Sequence, residues 1–389
     1  MTPSISRRIL GVQSPMIPVV GEMIKRHPGT ISLGQGVVHY GPPAVVTEAA
    51  AQAVRDDPRV HRYGLALGLD SLLDAIRSKL EIENRIVPSP DHRIAVTAGS
   101  NMAFLEAVLA IADPGDEVIL LSPFYFNHEM AIEIAGCRAV IVPTDANYQP
   151  ILPAIESAIT DRTRAVVTIS PNNPTGAVYP ADVLSAINVL CNNRNIYHIA
   201  DEAYEYFTYD PARHFSPASL PGSAPHTFSL YSLSKAYGMA GWRVGYMVFP
   251  AHLDVSMKKI QDTNLICPPL LNQLAAVAAL GAGRAWCQTQ TTPFSAVRNL
   301  VLGELQSLGD RVRLPSPGGA FYALMQVNSP RRDMELVEEL IGRFGVAVMP
   351  GSTFGTPEGC YLRVAYGALD QSTVAEGMGR LVRGLRELI

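Results

Sequence analysis

Cysteine is scarce and scattered. Cys137, Cys191, Cys267, Cys287 and Cys360 make an odd total of five, with no CxxC spacing. That reads as a reduced, cytoplasmic protein with neither a disulfide frame nor a metal site. Runs of Lys or Arg are absent and the formal net charge is −4, so nothing advertises nucleic acid or an anionic membrane as a partner. No apolar stretch is long and charge-free enough to span a bilayer. The opening residues, MTPSISRRILGVQSP, lack the apolar core of a secretory signal. Fixed-period repeats and low-complexity linkers are missing too. No GxGxxG follows the first expected strand of a sheet, which argues against a nicotinamide dehydrogenase.

What is present is enough for two or three ordinary domains: 389 residues, 48% of them hydrophobic. The middle of the chain alternates short apolar runs with amphipathic stretches. The runs are Arg93–Gly99, Glu117–Pro123, Arg138–Thr144, Arg164–Ser170, Tyr197–Glu202, Thr227–Ser234 and Val244–Pro250. Several are apolar through most of their length, as strands buried on both faces should be. Helical patterns lie between them at Met102–Ala112, Phe126–Ala135, Pro153–Thr160 and Pro180–Asn193. Such alternation predicts an α/β fold with a mostly parallel, seven-stranded sheet covered by helices. The last third differs. A helical stretch from about Gln273 to Leu308 precedes Ala320–Val327, Val346–Pro350 and Tyr361–Ala365, and a helix closes the chain. This predicts a smaller α+β domain that the first forty or so residues join. We place the large domain at 42–285 and the small one at 1–41 together with 286–389.

Ligands of such sheets sit at the C-terminal ends of the strands. The polar residues there are Gly99-Ser100-Asn101, Tyr125, Asn172-Asn173-Pro174-Thr175-Gly176, Asp201-Glu202-Ala203-Tyr204 and Ser232-Leu233-Ser234-Lys235. A buried ammonium and a buried carboxylate are each costly unless paired or used. Both at strand ends indicate a site.

Ser232-x-Ser234-Lys235-x7-Arg243, preceded by Asp201-x2-Tyr204 and by Asn173-Pro174-Thr175-Gly176, resembles the fold type I aminotransferases of class I/II. The resemblance runs from Gly36 to Arg363. It implies pyridoxal 5′-phosphate as cofactor, amino acids and 2-oxo acids as substrates, and ping-pong transamination. Lys235 would form the internal Schiff base and then move the proton at the substrate's Cα. Asp201 would pair with the pyridine nitrogen. Tyr204 and Asn173 would hydrogen-bond the phenolic oxygen. Gly99, Ser100 and Asn101 would open a helix near Met102 against the phosphate, with Ser232 and Arg243 beside them. Tyr125 would stack on the ring, with Ala203 leaving space on its other face. Arg363, inside an apolar strand, would take the substrate α-carboxylate, with Gly36 and Asn173 close by. Tyr63 would reach the phosphate of a neighbouring subunit, which implies a homodimer with shared active sites.

The particular wording resembles a plant-type branch of that family that uses aromatic amino acids and methionine. The segments are Gln35–His39, Pro123–Asn127, Tyr204–Asp210 and Lys259–Asp262. Prokaryotic relatives favouring aspartate often carry a lysine at the position of Asn101. Tyr40, Phe124, Tyr125 and Leu265-Ile266-Cys267 could supply an apolar wall. An aspartate-type enzyme, or a lyase or synthase on the same fold, would use the same Lys235, Asp201 and Arg363. A transcription regulator would need a winged helix, and the residues before Gly34-x-Gly36 are too few for one.

Overall fold

The computed structural model describes residues 4–87 and 89–389. Met1–Pro3, part of the expected small-domain segment, and Pro88 lie outside the described residues. All seven apolar runs are strands of one sheet: β1 (His92–Thr97), β2 (Glu117–Ser122), β3 (Arg138–Pro143), β4 (Thr163–Ile169), β5 (Tyr197–Asp201), β6 (Thr227–Ser232) and β7 (Gly245–Pro250). Their order is β1-β7-β6-β5-β4-β2-β3. Every pair is parallel except those of β7, which runs antiparallel to both β1 and β6. The stretch 233–244 joins β6 to β7 and turns the chain back alongside β6. The central strands are buried on both faces, as their apolar sequences demand.

Helices follow β1, β2 and β4 at Ser100–Ile111, Phe126–Ile134 and Ala181–Asn193. The helical region after residue 270 is two helices rather than one, Leu270–Thr291 and Phe294–Gln306, with Pro293 at the break. Within the first, Gly283 leaves helical geometry at φ 68°. The second packs on the terminal helix Gln371–Leu388. Tyr322–Val327 pairs antiparallel with Cys360–Ala365 in a separate four-stranded sheet. The expected strand from Ala320 begins two residues later, after Ala320 at φ 52°. Ile31–Ser32 pairs in parallel with Val346–Ala347, and Leu33 O accepts from Ala365 N. The early segment therefore joins the C-terminal third through main-chain bonds. Among the described residues, no helix is long and apolar enough to cross a membrane.

Candidate active site

The C-terminal ends of β1, β4, β5 and β6 converge on a cavity of about 220 Å³. Its lining includes Ser100, Asn101, Tyr125, Asn173, Asp201, Ala203, Tyr204, Ser232, Ser234, Lys235 and Arg243, all singled out from sequence. Val37, Ile169 and Ala240 complete it.

One end is built for an anion. The helix after β1 begins at Ser100, two residues earlier than its periodicity predicts, with Gly99 as N-cap at φ 85°. The first backbone N–H groups of that helix therefore belong to Ser100 and Asn101, and they have no partner within the helix. A Cβ on Gly99 would come within 2.4 Å of an Arg243 guanidinium nitrogen. Only glycine lets that fork lie against the turn. Arg243 donates to the carbonyls of Ala98 (3.0 Å) and Ala240 (3.0 Å), which fix its plane. A helix N-terminus, two serine hydroxyls and a guanidinium together suit a phosphate.

At the other end lies Lys235, whose Nζ donates to the Gly36 carbonyl at 2.6 Å. Burial, then Arg363 and Arg243, push its ammonium down to about 8, against the opposing pull of Asp201. Asp201 ends β5. Its Oδ1 accepts from Ala203 N at 3.1 Å, and its Oδ2 stands 3.1 Å from His128 Nε2. His128 is fully buried, stacked on Phe104 with ring centroids 3.9 Å apart. His128 was not singled out from sequence, where its signal was a lone histidine in the first turn of the helix Phe126–Ile134, on its buried face.

The Asn172-Asn173-Pro174-Thr175-Gly176 turn divides its two asparagines. Asn172 builds the turn, its Oδ1 accepting from Thr175 N (3.1 Å) and Thr175 Oγ1 (2.8 Å). Asn173 is left to face the cavity, where its Oδ1 accepts from an Arg363 NH₂ group at 2.9 Å. The other Arg363 NH₂ group donates to Gly34 O at 2.7 Å. Arg363 is 2% exposed, yet no described carboxylate is close enough to pair with it. The rings of Tyr322 and Phe354 each lie 4.6 Å from its guanidinium carbon. This aromatic cage holds the cation in place without neutralising it. Neither ring was singled out from sequence, because both read as core aromatics.

Three expectations are corrected. Phe124 packs in the core beneath Gly355 rather than in the cavity wall. Tyr40 turns its hydroxyl to the carbonyls of Lys235 and Ala236 and its ring to Trp286. Leu265-Ile266-Cys267 lies beside the Tyr63 loop, where Cys267 Sγ accepts from Gly64 N at 3.2 Å. None of them lines this cavity. Tyr63 itself is 80% exposed and outside it.

The family model for aminotransferase class I and II matches residues 28–381. The chain belongs to this family. It is a transaminase. Aminotransferases of class I and II depend on pyridoxal phosphate, and amino acids and oxo acids are their substrates. An aromatic aminotransferase of Arabidopsis thaliana is 33% identical over 99% of this chain and 97% of its own length. An aspartate aminotransferase of Pyrococcus abyssi is 33% identical over 92% of each chain. The structure of aspartate aminotransferase from Thermus thermophilus with maleate has a TM-score of 0.90 to this one. It is 31% identical, and the match covers 98% of this chain and 100% of that one.

Proposed function

We propose that this aminotransferase holds pyridoxal 5′-phosphate on Lys235 and moves the amino group of an aromatic amino acid or methionine to a 2-oxo acid. The observation that carries the reading is the buried Lys235 amine, held between Asp201 and two guanidinium groups, in a cavity with an anion cradle at its far end. The donor set suits the group. Gly99, Ser100, Asn101, Ser232 and Arg243 would hold the phosphate, Tyr125 and Ala203 would flank the ring, and Asp201 would keep a proton on the pyridine nitrogen. When bound, the cofactor supplies an electron sink for the pair released when the donor's Cα proton leaves. Tyr204 and Asn173 would hydrogen-bond the phenolic oxygen. Arg363, with Asn173 and the Gly36 backbone, orients the substrate carboxylate. Lys235 Nζ then moves the proton at Cα.

The neutral amine is the nucleophile, and the depressed pKa sets when it exists. Cofactor uptake by the apoenzyme is expected to speed up about tenfold per pH unit below 8 and to level off above it. Stopped-flow absorbance measures this directly. A rise continuing to pH 10, as for an ordinary lysine, would contradict the assignment.

The donor preference rests on charge. Among the residues lining the cavity, the cations are Lys235 and Arg243, both already committed. At position 101 stands a neutral amide rather than a cation, and the Tyr125 hydroxyl, which lines the same cavity, accepts from Asn127 Nδ2 at 2.8 Å. Val37, Ile169, Ala203 and Ala240 are apolar. A second carboxylate would be desolvated without a dedicated cation, whereas an apolar side chain gains roughly 25 cal/mol per Å² buried. We expect kcat/KM for phenylalanine, tyrosine, tryptophan and methionine to exceed that for aspartate by one to two orders of magnitude, on the order of 1–3 kcal/mol. The aspartate aminotransferases among the similar proteins favour a second reading, and a preference for aspartate in the same panel would establish it.

The working unit we propose is a homodimer, with a large domain at 42–285 and a small domain at 1–41 plus 286–389. Gly283, where the long helix breaks, supports the second boundary. Tyr63, Leu65 and Ile266 are 80%, 62% and 46% exposed and close to one another along the Gly64–Cys267 contact, as a patch awaiting a partner would be. Tyr63 would reach the partner's phosphate site. Mixing Lys235→Ala subunits with inactive Tyr63→Ala subunits is expected to restore activity, because one site of each heterodimer is intact. Full activity of a monomer at high dilution would dispose of the shared site. All five cysteines are free, which supports a reducing, cytoplasmic setting.

A further inference from the structure

We infer that Tyr322 is a positioning residue for Tyr204, its hydroxyl completing the hydrogen-bond chain through which Tyr204 acts on the cofactor's phenolic oxygen. The inference rests on the proposed pyridoxal-phosphate site. Tyr322 opens the strand Tyr322–Val327, which pairs with Cys360–Ala365 in a register that sets Leu324 opposite Arg363 and Tyr322 opposite Ala365. Tyr322, Leu324, Arg363 and Ala365 therefore share one face of the sheet. The Tyr322 ring is carried beneath the Arg363 guanidinium, and its hydroxyl reaches past it to the Tyr204 hydroxyl at 2.7 Å. The two rings meet nearly edge-on, with an interplanar angle of 80°.

Packing alone does not account for this tyrosine. A phenylalanine would fill the same space beneath Arg363. The hydroxyl needs room that the chain provides elsewhere: a Cβ on Gly36 would stand 2.7 Å from it. Both residues are buried, Tyr322 at 1% and Tyr204 at 5% exposure, so neither hydroxyl can rely on bulk water. Among the described residues, each hydroxyl has the other as its hydrogen-bonding partner. Two protons serve one shared bond, so one proton is left over. If Tyr204 spends its proton on the cofactor's phenolic oxygen, its own oxygen becomes the acceptor, and Tyr322 becomes the donor. Chained hydrogen bonds polarise one another, each strengthening its neighbour by roughly 10–30% in a low-dielectric setting. Tyr322 thereby makes Tyr204 a better donor. The same ring lies against Arg363, so the group that takes the substrate carboxylate and the group that tunes the cofactor share one support.

The sign of the effect follows from electrostatics. A donor to the phenolic oxygen draws electron density away from it. The oxygen then stabilises less well a positive charge on the nitrogen linking the cofactor to Lys235. Weaker donation raises the pKa of that nitrogen, which the pH titration of the bound cofactor's visible band reports. Tyr204→Phe is expected to raise the midpoint, and Tyr322→Phe to raise it by roughly 10–30% as much. With Tyr204→Phe already in place, Tyr322→Phe should add nothing, because the relay has lost its middle member. If Tyr204→Phe moves the midpoint and Tyr322→Phe does not, the relay is wrong while the reading of the site stands. Equal Tyr322→Phe shifts in the presence and absence of the Tyr204 hydroxyl would overturn it as well. No shift with Tyr204→Phe would instead fail the site reading itself. Should Tyr322→Phe not fold, Gly36→Ala crowds the same hydroxyl, and an unchanged midpoint there would count against the relay in the same way.

Discussion

Lys235→Ala is expected to lower turnover by about 10⁴-fold or more, the upper range for a positioned proton-transfer group, while the protein stays folded. The two halves of that expectation have different physical origins. Turnover needs an amine at this point for two tasks: to hold the cofactor and to move the proton at the substrate's Cα. No other described lysine is placed to substitute, since Lys235 is the one lysine lining the cavity. Stability, by contrast, gains nothing from the charge. The ammonium is pushed down to about 8 by burial and by two guanidinium groups, so folding already works against it. Removing it relieves that cost, and thermal unfolding of the apoenzyme should shift little or upward. The variant should still bind the cofactor noncovalently through the Gly99–Asn101 turn and Arg243. Retained turnover in Lys235→Ala would remove the basis of the mechanism.

The second large effect belongs to Arg363. Replacing it with alanine removes a fork that faces the cavity through Asn173, and replacing it with lysine leaves a point charge with no planar geometry. Losing one partner of a buried, hydrogen-bonded charge pair costs about 2–5 kcal/mol. That corresponds to a fall in kcat/KM of roughly 30- to 5000-fold for Arg363→Ala. Because every amino donor presents the same α-carboxylate, the loss should be similar for phenylalanine, methionine and aspartate, leaving their ranking unchanged. Arg363→Lys should recover part of it. Fold stability is a necessary control, since the guanidinium also fills the space between Tyr322 and Phe354. A loss confined to one donor would mean that Arg363 reads a side chain rather than the shared carboxylate.

The contrast between Asp201 and His128 shows what was legible in the sequence and what was not. Asp201, Lys235 and Asn173 each stand at the end of an apolar run, and strand period alone delivers them to one edge of the sheet. The seven strands were legible for the same reason: runs buried on both faces carry an unbroken apolar signal. His128, Tyr322 and Phe354 were not, because their residue types are ordinary in a core. Their importance lies in contacts between segments far apart in the chain. His128 meets a carboxylate across the sheet, and Tyr322 meets a phenol 118 positions away. Periodicity carries no information about such pairings. The misplaced wall residues fail for a related reason. Phe124 and Tyr40 flank the site in sequence, but rotamer and turn geometry send both rings away from it.

The central claim is that one particular nitrogen, Lys235 Nζ, carries the cofactor. Reduction of the holoenzyme with borohydride fixes that linkage as a stable secondary amine, and peptide mapping by mass spectrometry then finds it. The account predicts the added mass in the peptide containing Ser232-Leu233-Ser234-Lys235, on Lys235 and in near-stoichiometric yield. Label on Lys258, Lys259 or any other lysine, with Lys235 unmodified, would contradict it.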